Sequence, residues 1–187
     1  MNKIGKKIVV LVGTLLFITN VWSQAWTAGD NVTLHIPFFC LIETNYAPVV
    51  LTFATPAAGA PITSVLNSDL FVKVSSIVPG TTHREITARI SSGSVPAGTV
   101  LTLVSAPCTT TNSGGGLGTP GATPIILSAV DQELVDLITT CYTGTGYNDG
   151  YQMTFTWEPD NPANYSQIES INTNIIVVFT ITAHDSN

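Results

Sequence analysis

The sequence predicts an all-β chain, an antiparallel two-sheet β-sandwich with at most one short helix. Three observations carry that expectation. Apolar residues alternate with Thr, Ser and charged residues over one short run after another. The runs are separated by turn signals such as Pro79-Gly80, Ser92-Gly93 and Asn148-Asp149-Gly150. Only one stretch spaces its apolar residues as a helix would.

From the N-terminus, Lys3, Lys6 and Lys7 precede the apolar run Ile8 to Ile18, and small residues follow at Ser23 and Ala25. This is the layout of a cleavable signal peptide. Residues 1–25 are expected to be that leader and residues 26–187 a single β-sandwich domain. The apolar run is well short of the roughly 20 residues that span a bilayer. Ser23-Gln24-Ala25-Trp26 also lacks the Cys that a lipoprotein carries at its cleavage point. The expected location is secreted, periplasmic or cell-surface, with no membrane insertion once the leader is removed.

Val32, Leu34 and Ile36 alternate with Thr33 and His35 and read as a first strand, bent or ended by Pro37. Extended runs follow at 38–43 and 49–53, then a loop at 55–61. Residues 70–78, 83–90 and 99–104 form a meander of antiparallel strands around the Pro79-Gly80 turn. Residues 107–123 are rich in Thr, Ser, Gly and Pro and read as a long surface loop, with Gly114-Gly115-Gly116 supplying flexibility. A short strand at 124–127 precedes the one expected helix, in which Ser128 caps and Leu134, Val135 and Ile138 share a face. Tyr151, Met153, Phe155 and Trp157 alternate strictly, and 174–182 forms the last strand. An up-and-down barrel would show the same alternation.

Composition removes some partners. Three of the six basic residues lie in the leader and all twelve acidic residues lie after it, so the mature part carries a formal charge of −9. Lys73, Arg84 and Arg89 cannot form the cationic cluster that nucleic acid or an anionic membrane requires.

Cys40, Cys108 and Cys141 would meet an oxidising compartment after export. Cys108 and Cys141 both sit in turn-rich stretches and are the expected disulfide pair, contributing about 3 to 4 kcal/mol in the loop-entropy picture. Cys40 lies in an apolar run and reads as a small buried hydrophobe. Spacing alone leaves the other pairings open.

No catalytic, cofactor-binding or metal site is expected, and the chain is not expected to be an enzyme. His35, His83 and His184 lie in no nucleophile motif. His83 and Glu85 share a strand face, a weak metal pair. Asp131, Glu133 and Asp136 form the nearest thing to an acidic cluster, read as decoration of the helix start. Calcium could use that cluster, Asn148-Asp149 or Asp160-Asn161, although none has EF-hand spacing. Trp26, Tyr142, Tyr147, Trp157 and Tyr165 include rings near loops that could stack on sugars, with Trp157 assigned to the core.

The segments Arg84 to Thr99, Leu117 to Pro120, Tyr142 to Gly146 and Val177 to Thr182 resemble a group of small exported bacterial proteins. In strand layout and size the chain is also similar to spore-coat-U-like and other chaperone-usher-related secreted subunits. That resemblance implies an immunoglobulin-like sandwich and a role as an exported structural or adhesion module, a fibre or coat subunit. Other protein subunits or cell-surface glycans would then be its partners. In such a subunit Val32, Leu34 and Ile36 would be a donor strand completing a neighbour's sheet. Pairing of that strand inside its own domain is the favoured expectation. A monomeric glycan-binding module using loop aromatics is the alternative.

Overall fold

A computed structural model describes residues 29–184, so the expected signal peptide and Trp26 lie outside the described residues. The chain divides into two units, Met1–His35 and Ile36–Asn187, and the sheet belongs to the second. The fold is all-β, as expected, with nine strands in one open antiparallel sheet. In order they are β1 Phe39–Thr44, β2 Val65–Ile77, β3 His83–Ser92, β4 Thr99–Ser105, β5 Gly114–Pro120, β6 Ile125–Ile126, β7 Gln132–Tyr142, β8 Tyr151–Pro159 and β9 Ile176–His184.

Two long strands turn this sheet into two layers. One edge of β2 pairs first with β8, from Val65 to Val72, and then with β7 at Ser75 and Ser76, while β1 covers the other edge. β7 in turn pairs with β3 and β5. The strands β6, β4, β8, β2 and β1 thus form one half and β5, β7, β3 and β9 the other, and among the described strands the ladder passes between them where Ser75 and Ser76 meet Tyr142 and Cys141. Val72, Leu103 and Met153 from the first half and Ile86, Val135 and Ile138 from the second belong to a single core. Side chains of this size contribute about 1.5 to 3 kcal/mol each when fully buried. Facing layers around one core are the arrangement that alternating strands favour.

Three segments depart from expectation. The expected helix is strand β7. Its apparent helical spacing arises because Leu134 and Val135 are both buried, at a bulge where the register against β3 slips. The only helical turn among the described residues is a 3-10 turn at Pro162–Gln167, capped by the Asn161 side chain. The expected loop at 107–123 contains β5. Its glycines permit close approach to β7: a Cβ on Gly115 would lie 2.2 Å from the Thr140 carbonyl oxygen. Residues 49–53 keep their alternation, with Val49, Leu51 and Phe53 turned inward, but form no strand ladder.

Candidate functional site

The segment read as a first strand forms no strand. Residues 29–38 carry no strand pairing among the described residues, and Val32, Leu34 and Ile36 are 79%, 87% and 76% exposed. Pairing of these residues inside their own domain, the favoured expectation, is not seen among the described residues. Phe38 continues the same alternation and is also exposed. Four apolar side chains spaced two residues apart in water are an unusual exposure.

A groove of about 910 Å³ opens onto the core within the sheet unit. The unpaired residues Val49, Leu51 and Phe53 line one part of it, Leu101, Phe155 and Trp157 of β4 and β8 another, and Val177 and Phe179 of β9 a third. Trp157 stacks on Phe53 with ring centroids 4.0 Å apart and donates its indole N–H to Thr99 Oγ1 at 2.9 Å. Its core placement agrees with the alternation of β8. Residues 168–175, which connect the 3-10 turn to β9 without strand structure, complete the lining. Among the described residues, Val49, Leu51 and Phe53 therefore face the core from a segment that makes no ladder.

The acidic residues sort differently from their order in sequence. Asp131 leaves the expected cluster: its carboxylate lies 3.5 Å from Arg89 Nε. Glu133 and Asp136 instead meet Glu85 across the β3–β7 pairing, with carboxylate oxygens of all three within 4.8 Å of one another. His83 Nε2 lies 3.7 Å from Asp136 Oδ1, and Thr182 donates to Glu85 Oε1 at 3.4 Å. Oxygens so gathered suit a hard divalent cation, and the imidazole suits a softer one. The pair His83 and Glu85 was visible as a strand face, but the contribution of β7 was hidden by its reading as a helix. The other two expected calcium loops are occupied by their own hydrogen bonds. Asp149 accepts the Gly146 N–H at 2.7 Å and the Asn112 side chain at 3.3 Å, and Asp160 accepts from Asn161 and Asn164 at 2.9 and 2.6 Å. His35 is exposed, and His184 pairs with His83 in the β3–β9 register.

The structure holds no Cys108–Cys141 bond, and Cys40, Cys108 and Cys141 all stand in it as thiols. Cys40, Ser76 and Cys141 nevertheless lie side by side in register across β1, β2 and β7. Ser76, fully buried, accepts from Arg84 Nε at 3.2 Å. Burial raises the Cys40 thiol pKa and Arg84 opposes that rise. Cys141 is pushed up to about 11, by burial first and then by the neighbouring Cys108 and Cys40. Cys108 packs on the core from the β4–β5 connection. Beneath it Tyr151, with no exposed surface, donates its hydroxyl to the Leu117 carbonyl, and burial followed by the charges of Cys141 and Cys108 raises its pKa far above the ordinary phenol value.

Tyr46, Tyr142 and Tyr147 present exposed rings, whereas Tyr165 accepts the Ile62 N–H through its hydroxyl at 3.1 Å. No helix among the described residues is long and apolar enough to cross a membrane. No protein-family model matches the chain, and no curated protein or solved structure matches it.

Proposed function

We propose that the chain is an exported structural module that assembles with other subunits by strand addition, residues Val32, Leu34 and Ile36 of one copy entering the apolar groove of another. The carrying observation is the coexistence of an exposed, alternating apolar segment with a groove that opens onto the core. An inserted strand places alternate side chains in a groove while its backbone pairs with a neighbouring edge. β9 offers such an edge: among the described strands it pairs only with β3, and Val177 and Phe179 on it already line the groove. Each buried Leu or Ile would contribute about 1.5 to 3 kcal/mol before the entropy of ordering the segment is subtracted.

Light scattering on the chain beginning at Ala25, beside one beginning at Phe38, tests this reading. Concentration-dependent oligomers from the longer chain and monomers from the shorter are expected. A synthetic peptide of residues 30–37 should bind the shorter chain and change the fluorescence of Trp157, which lines the groove. A longer chain that stays monomeric at every concentration would overturn the proposal. The exposed rings of Tyr46, Tyr142 and Tyr147 support a second reading, carbohydrate binding, for which oligosaccharide retention by monomers is the expected sign.

A further inference from the structure

We infer that Cys108 and Cys141 are the bridging pair of the oxidised protein, forming a clasp that pins the β4–β5 connection over Tyr151, and that Cys40 remains a thiol. The sheet decides between the pairings that spacing left open. Cys40 and Cys141 are both neighbours of Ser76, on opposite edges of β2. Two strand spacings of about 4.8 Å put their Cα atoms roughly 10 Å apart, beyond the limit of about 7 Å for a disulfide. Only movement of a whole strand would bring them together.

Cys108 is placed on the other side of Cys141 by the chain around it. Ala106 donates its N–H to the Gln152 carbonyl at 2.8 Å, beside Tyr151, and Gly114 and Gly115 pair with Tyr142 and Cys141. The connection from Pro107 to Ser113 therefore runs from β8 to β7, and Cys108 lies within it, packed on the same core that contains Cys141. Tyr151, under this crossing, feels both thiols, and Cys141 feels Cys108 ahead of Cys40. Asn112, bonded to Asp149, holds the far end of the connection.

The reaction is a two-electron oxidation. Cys108 and Cys141 each lose the thiol hydrogen, their sulfurs join, and glutathione disulfide accepts two electrons and two protons to leave as two glutathione thiols. Cys108, less buried than Cys141, is the thiol that first exchanges with glutathione, and Cys141 then attacks the mixed disulfide as its thiolate. With Cys141 pushed up to about 11, that closing step should accelerate about tenfold per pH unit below this value.

The chain beginning at Ala25 is equilibrated in glutathione redox buffer, alkylated after unfolding, and mapped by mass spectrometry without reduction. One bridge joining the Cys108 and Cys141 peptides is expected, with alkylation at Cys40 alone and a melting temperature about 10 °C above the reduced form. A bridge containing Cys40, or alkylation of all three thiols at an oxidising glutathione ratio, would overturn the inference. Cys108→Ser, a small change at a partly buried position, is expected to fold and to leave Cys40 and Cys141 both alkylated. A Cys40–Cys141 bridge in that variant would also refute it.

Discussion

The Asp149 carboxylate accepts the Gly146 N–H at 2.7 Å and closes the turn between β7 and β8 from the inside. Gly144 and Gly146 leave room for it, since a Cβ on either would lie within 2.8 Å of Asp149 Oδ2. The Gly146 bond, helped by side-chain bonds from Thr110 and Asn112 and by the charge of Lys73, holds the carboxyl below its ordinary pKa against the opposing effect of burial. A depressed carboxylate stabilises the fold above its unfolded-state pKa, and that contribution disappears as pH falls through the lower folded-state value. Asp149→Asn should therefore lower the melting temperature at neutral pH. The gap from the parent protein should close as pH drops through the carboxylate range; a gap that persists in acid would show that the charge is not what matters.

Gly115, within β5, and Gly121, just after it, predict opposite outcomes. Gly115 has φ +88° and a would-be Cβ 2.2 Å from the Thr140 carbonyl oxygen, so Gly115→Ala combines left-handed strain with a backbone clash. A loss of about 2 kcal/mol or more is expected in denaturant unfolding. At Gly121 the nearest atom to a Cβ is 3.8 Å away and φ is not in the left-handed region, so Gly121→Ala should stay within about 0.5 kcal/mol of the parent.

Much of the fold was legible because strict alternation survives tertiary context. β3, β4, β8 and β9 lie where alternation placed them, within a few residues. β7 was misread because a bulge buries Leu134, Val135, Ile138 and Cys141, the spacing that a helix face would also produce. β5 was missed because composition argues for a loop at Gly114-Gly115-Gly116, whereas the strand exists through close backbone approach, which no side-chain pattern records. The carboxylates were grouped by sequence proximity, but a sheet joins residues through register, and so Glu85 joined Glu133 and Asp136 while Asp131 went to Arg89. The groove had no sequence signal, since Val49, Leu51 and Phe53 alternate as a paired strand would.

The bulge in β7 also makes a stability prediction. Leu137 adopts φ +59° and is half exposed, so it meets the left-handed penalty of about 1 to 2 kcal/mol without much burial in return. Asn tolerates that region better. Leu137→Asn should raise stability by about 0.5 to 1 kcal/mol in urea unfolding. An equal loss instead would mean that the leucine side chain contributes more packing than its exposure indicates.

The alternation of the N-terminal segment gives the sharpest test of strand addition, because only a strand reads odd and even positions differently. If residues 32–36 enter a groove as a strand, Val32, Leu34 and Ile36 point into it and Thr33 and His35 point away. Leu34→Ser removes most of one buried apolar side chain, which at about 1.5 to 3 kcal/mol weakens association roughly 10- to 150-fold. Thr33→Ser or His35→Ser, at outward positions, should leave association within about threefold of the parent. Sedimentation across a concentration series measures all three. If the segment instead associated as a greasy tail, the loss would follow total hydrophobicity, and moving Leu34 to position 33 would cost nothing. For an inserted strand that exchange should be as damaging as deleting the leucine, because it turns the side chain from the groove to water.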